Sequence, residues 1–182
     1  MSRLPLTTRD DIPEELRYVW DHNETDGRMA NIFRAMSNNP KLWRSYLRLG
    51  SGLWADCGVD TKTRELAILR AAINAQSPYE WHQHVRIGRA AGLTNDQILG
   101  LHHWDTSPQF SDAEKAMFGY IDAVAASNHP SDAAHAAIAA HYPASTILGI
   151  NLLTGFYLMT AKFVGGMEVE TEEPFIGWQL QG

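Results

Sequence analysis

The stretch RELAILRAAINAQSPYEWHQHVRIGRAAGL, residues 64–93, decides how the chain is read. Its first half places Leu66, Leu69, Ala72 and Ile73 three and four residues apart, which predicts a helix over Thr63 to Ala75 with one broad apolar face. Ser77-Pro78-Tyr79-Glu80 then opens a second helix: a serine N-cap, a proline at the first helical position and a glutamate at the third, the pattern of a capping box. That helix runs to about Ala91, and Gly92 supplies its stop.

The same punctuation extends in both directions. Asn38-Asn39-Pro40 separates a short helix over Asn31 to Met36 from one over Lys41 to Gly52, because proline disfavours helix at the residue before it. Thr94-Asn95-Asp96-Gln97 opens a helix through about His103, Ser111-Asp112-Ala113-Glu114 opens another, and Ser131-Asp132 opens an alanine-rich one ending near His141. Pro143 begins a long apolar helix through about Val164. Nowhere does a period-two pattern suggest a strand. The expectation is an all-α fold of seven or eight helices in a single domain, residues 1–182, with a core over about 30–165 and an arm at either end, 1–15 and 167–182. Phe175, Ile176 and Trp178 imply that the C-terminal arm packs on something, a neighbouring subunit being one candidate.

Composition narrows the function. A chain of 182 residues is long enough to bury roughly 70% of its unfolded surface in one core. Fifteen Lys plus Arg against 21 Asp plus Glu give a net charge of −6, so no basic face for nucleic acid is expected. One cysteine, Cys57, excludes a disulfide framework, a four-cysteine zinc site and a CxxC redox pair. The opening MSRLPLTTRDDIPEE lacks an apolar core of signal-peptide length. The apolar segment 144–166 is interrupted by Ser145, Thr146, Asn151, Thr154 and Lys162, which suits a buried helix better than a membrane span. These features predict a cytoplasmic protein with no membrane contact.

Residues 64–93 also concentrate the ionisable groups: Glu65, Glu80, His82, His84, Arg86 and Arg89. Glu80 and His84, four apart, share a helix face, where a carboxylate can hold an imidazole's tautomer and raise its basicity. His82 is turned about 200° from His84 on an ideal helix. The two histidines therefore cannot share a metal, and no metal or cofactor is expected. His82 is read as facing solvent or lying at a rim, His102 and His103 as structural, and Tyr157 as a contact between helices or subunits. If two antiparallel helices meet at Ser77, Glu65 lies opposite residue 89, about 7.5 Å along the axis from His84. That arithmetic predicts that His84 engages Glu80 directly, and Glu65 only across a pocket or through water.

RELAILRAA and YEWHQHVRIGRAAGL, together with NIFRAMSNNPKLWRSYLRLGSGLW at residues 31–54, resemble the carboxymuconolactone decarboxylase family, within the superfamily that includes alkylhydroperoxidase D. The resemblance covers about residues 30–165 and implies the alkylhydroperoxidase D-like helical domain. In the peroxidase branch a glutamate is followed by a CxxC pair and a histidine at fixed spacing. Counted from Glu65, those positions hold Ser77, Glu80 and His84, so the glutamate and histidine are kept and both cysteines are absent. Dithiol peroxide reduction, which needs an attacking and a resolving thiol, is thereby disfavoured.

What the resemblance implies instead is a lyase of aromatic-compound catabolism, performing acid–base chemistry without redox steps on a small carboxylated lactone or related acid. His84 would move the proton and Glu65 or Glu80 would orient it. Ser77, Trp81, Arg86 and Arg89 would bind substrate, and Arg64 and Arg70 are further candidates to grip a carboxylate. The resemblance also implies a homo-oligomer, a trimer or hexamer. The alternative is a non-catalytic ligand-binding protein or scaffold, in which the pocket at His84 would be collapsed or filled by Trp81 and Tyr79.

Overall fold

The two helices of the central stretch form where the sequence places them, and the rest of the chain wraps them. In the structure, a computed structural model describing residues 2–127 and 129–181, the described residues form nine α-helices and no strand. Met1 and Gly182, the outermost residues of the expected arms, lie outside the described residues. The helices are α1 (Arg17–Asn23), α2 (Asn31–Met36), α3 (Pro40–Asp56), α4 (Thr61–Asn74), α5 (Pro78–Ala90), α6 (Asn95–Gly100), α7 (Asp112–Ala126), α8 (Asp132–Ala139) and α9 (Ala144–Gly166).

Most starts are set by the residues that signal them. Asn39 accepts from the backbone of Leu42, and Pro40 takes the first position of α3. Thr94 with Gln97 and Ser111 with Glu114 form complete capping boxes. Ser77 caps α5 by accepting from Glu80 N–H, but the box is only half made. The Ser77 N–H is already spent on the carbonyl of Ala72, in the link where Gln76 adopts the left-handed conformation with φ 50°. The Glu80 carboxyl is thus free to point elsewhere.

Helix α4 lies at the centre, against α5, α7 and α9. Leu66, Ile68 and Leu69 are fully buried, each contributing about 1.5–3 kcal/mol over exposure. Helix α9 is long and apolar enough to cross a membrane by length and composition. Here it is a core helix, its residues Ile150, Leu153, Phe156 and Tyr157 buried in the main cluster. Gly149 lets α9 pass directly over the backbone of Cys57, where a Cβ would collide with the Cys57 carbonyl.

The all-α fold is as expected, with nine helices among the described residues; α1, which the sequence did not announce, follows two 3₁₀ turns, at 9–11 and 14–16, and its N-cap, Leu16, makes no side-chain cap bond. Three other expectations change. The N-terminal segment is an arm only before Ile12, which anchors a second cluster with Leu16, Val19, Trp20 and Trp43. The C-terminal arm packs on its own chain: Trp178 lies 5.4 Å from Trp81, and Trp81 Nε1 donates to Gly177 O at 3.1 Å. This arm buries His82, whose Nδ1 accepts from Ile176 N–H at 3.1 Å, so His82 faces neither solvent nor a rim.

Candidate functional site

Glu65, on the first turns of α4, has no exposed surface, and its two oxygens are divided between two partners. Oε1 accepts from Arg64 Nε and Nη2 at 3.2 and 3.1 Å, and Oε2 meets His84 Nδ1 at 2.7 Å. Arg64 is itself fixed: Nη1 donates to Trp54 O at 2.8 Å, and the guanidinium sits 4.3 Å from the centre of the Trp54 ring. A carboxylate partner takes a donor, which assigns the hydrogen to Nδ1 and leaves the lone pair of Nε2 open. Nε2 faces the Glu80 carboxyl at 3.8 Å. The edge of Tyr157 and the ring of Trp54 hold the imidazole, with centroids 4.9 and 6.1 Å away.

The direct partner of His84 is thus Glu65, with Glu80 the looser contact, the reverse of the register expectation. That arithmetic treated α4 and α5 as straight rods hinged at one residue. The real link, residues 75–77, carries a left-handed turn that sets its own offset, and the long Glu65 side chain spans what remains. With Nδ1 committed to α4, only Nε2 is left for Glu80.

Glu80 is the least satisfied group in the site. It is 3% exposed, and its Oε1 has no hydrogen-bond partner among the described residues. Burial pushes its carboxyl up to about 7, against the opposing pull of the His84 charge. Above pH 4.5 the unfolded chain has released this proton while the native state still holds it. Raising the pH from there to about 7 should therefore destabilise the fold, by about 3 kcal/mol in all. Glu80→Gln removes the titration, so urea unfolding at pH 5 and 8 should show a flatter profile for the variant. A variant whose loss between those pH values equals the parent's would contradict this account.

Around these groups lies a cavity of about 650 Å³. Phe33, Tyr46, Trp54, Tyr79, Phe156 and Tyr157 supply its aromatic wall, and Glu80, His84 and Gln83 are among its polar groups. Tyr46 Oη pairs with Thr160 Oγ1 at 2.9 Å, and Trp54 Nε1 donates to Tyr157 Oη at 2.8 Å; burial pushes both phenols above their usual range. No lysine or arginine lines the cavity among the described residues. Glu65 and Glu80 approach His84 through different ring nitrogens, and no three described His, Cys, Asp or Glu side chains are grouped to hold a metal.

The structure brings together Glu65, Glu80 and His84 and leaves the other candidates outside. Ser77 stays in the α4–α5 link, and Trp81 lies under the C-terminal arm. Arg86 is exposed, and Arg89, also exposed, bonds Asn95 at 3.0 Å. Arg70 is held by Asp122 through two bonds of 2.6 and 2.7 Å. Arg64 is the guanidinium at the cluster, though it is held by Glu65 and the Trp54 carbonyl and does not line the cavity. Sequence reasoning missed Trp54, Tyr46 and Phe156 as cavity walls and saw Tyr157 only as a helix contact. Nothing short-range marks them, since Trp54 and Tyr157 meet across 103 positions.

Comparison with known proteins agrees with this geometry at the level of fold. Debrominase Bmp8 without ligand superposes with a TM-score of 0.82 at 18% identity, over 96% of this chain and 94% of that one. An alkylhydroperoxidase AhpD core, an uncharacterized peroxidase-related protein from Ralstonia eutropha, gives 0.81 at 18% identity over 98% and 96%. At these identities the likeness shows the AhpD-like fold alone. Residues 40–123, a little under half of the chain, match the carboxymuconolactone decarboxylase family, and that match supports an assignment to this family alongside the AhpD-like fold. The uncharacterized protein YnjA of Escherichia coli is 28% identical over 80 residues, a match spanning 43% of this chain and 44% of that protein.

Proposed function

We propose that the cavity performs acid–base chemistry without redox steps on a small organic molecule, with His84 as the proton carrier. The observation that carries this reading is the 2.7 Å bond between Glu65 and His84 Nδ1, which leaves Nε2 without a close partner on a side chain that lines the cavity. In this scheme Nε2 takes a proton from the substrate, and the imidazolium that forms is stabilised by Glu65 behind it. Glu80, which burial keeps partly protonated near neutrality, returns a proton at a second position. Such chemistry is compatible with a decarboxylase-like lyase. A carboxylated lactone would find no arginine among the described residues of the cavity, however, because Arg86 and Arg89 are outside it.

Two observations weigh against the alternatives. The cavity is open, with Trp81 elsewhere and Tyr79 in its wall, which favours a ligand site over a collapsed scaffold. The thiol of Cys57 is buried and lines none of that cavity, and a dithiol cycle has no second thiol. A cysteine-to-alanine variant of debrominase Bmp8 in complex with 2,3,4-tribromopyrrole shows that this fold can hold a small ring.

The test is a screen of small cyclic and keto acids, lactones and phenols in D2O, followed by NMR. Proton transfer at carbon should leave solvent deuterium in the product, equally in the parent and in Cys57→Ser. Turnover that consumes peroxide and vanishes in Cys57→Ser would overturn the reading.

The homo-oligomer and the cytoplasmic location belong to the same proposal. With the C-terminal arm used internally, the surface offered to another copy is the exposed stripe of Leu148, Leu152 and Met159 on α9, beside Leu42 and Leu49 on α3. Sedimentation at micromolar concentration should show more than one chain per particle, and a monomer would remove the argument.

A further inference from the structure

The cavity's own chemistry says more about what it takes than the family does. A buried acceptor without a partner is costly; Oε1 of Glu80 is one, and Glu80 lines a cavity large enough for a ring compound. Tyr157, in the same wall, accepts from Trp54 Nε1 and keeps its own hydrogen to give. Acceptor and donor in one apolar, aromatic enclosure match a hydroxyl or ring N–H. They do not match a carboxylate, which would bring a second negative charge beside Glu80 once that carboxyl ionises, where no described lysine or arginine lines the wall.

We infer that the cavity binds an uncharged, ring-shaped weak acid, phenol-like in its chemistry, which donates a hydrogen bond to the Glu80 carboxyl and is enclosed by the rings of Phe33, Tyr46, Trp54 and Phe156. The inference rests on the acid–base reading for the identity of the site, but binding tests it without turnover. The aromatic wall supplies the shape, and Glu80 supplies the discrimination: an analogue lacking the donor leaves Oε1 unpaired and should lose roughly tenfold or more in affinity.

Three probes of nearly one size separate the possibilities: 4-chlorophenol, 4-chloroanisole and 4-chlorobenzoate, measured by calorimetry on the full chain at about pH 8, where the Glu80 carboxyl is mostly charged. The phenol should bind at least tenfold tighter than the anisole, and the benzoate weakest of the three. In Glu80→Leu, the phenol and the anisole should bind alike, while binding of the anisole persists and reports an intact cavity. The inference is overturned by benzoate binding as tightly as the phenol, by an equal affinity for phenol and anisole in the parent, or by no binding of any probe at millimolar concentration. The ranking in the parent decides the matter even if the leucine variant fails to fold. Phenol-selective binding without turnover would sink the acid–base reading and leave this inference standing; turnover with benzoate-selective binding would do the reverse.

Discussion

Glu65→Ala should cost the fold about 3–5 kcal/mol, the penalty for removing one partner of a buried ion pair. The carboxylate is wholly enclosed, and the Arg64 beside it is itself buried. Alanine would leave the guanidinium with one backbone carbonyl and the Trp54 ring, and His84 Nδ1 without its acceptor. The measurement is urea unfolding at neutral pH, with Glu65→Ala, Arg64→Ala and the double variant forming a cycle. The double variant should be less damaged than the sum of the singles, because it removes both charges together. A loss under about 1 kcal/mol in Glu65→Ala would mean that water reaches the pair and that burial is not what fixes His84.

His84→Ala should lower turnover by about 10²- to 10⁴-fold, the usual worth of a positioned proton carrier. The fold should survive, because Glu65 keeps Arg64 and the Trp54 and Tyr157 rings remain anchored to each other. Circular dichroism and the midpoint of thermal unfolding check the fold, and deuterium incorporation checks the chemistry. Loss of rate with an intact fold identifies a chemical role. A fully active variant would make the cluster structural, and the ligand-binding alternative would then explain the cavity.

The local grammar of the chain was legible because its signals are short. Thr94 with Gln97 and Ser111 with Glu114 declare helix starts within four residues, and they form the bonds they announce. Pro40 and Gly92 work the same way. Helix α1 declares nothing, since it follows a 3₁₀ turn and its N-cap is a leucine. The pair Glu80 and His84 was visible as a four-residue repeat, but which carboxylate meets His84 depends on an offset set by the turn at Gln76. The cavity wall was invisible for a related reason. Tyr46 and Phe156 stack at 4.7 Å although 110 positions separate them in the chain. Arm residue Trp178 announced that it would be covered, but not by which surface.

Helix α9 gives the site a temporal property as well as a wall. During synthesis Trp54, Glu65 and His84 emerge long before Phe156 and Tyr157, so the charged cluster exists for a time without its enclosure. The segment that completes the wall is the same one that fills the core, and Gly149 seats it on the backbone at Cys57. Enclosure of the cluster and cohesion of the core are therefore finished by one late event. A chain cut before α9 would lose both together, so a formed cavity would serve as a direct reporter of completed folding.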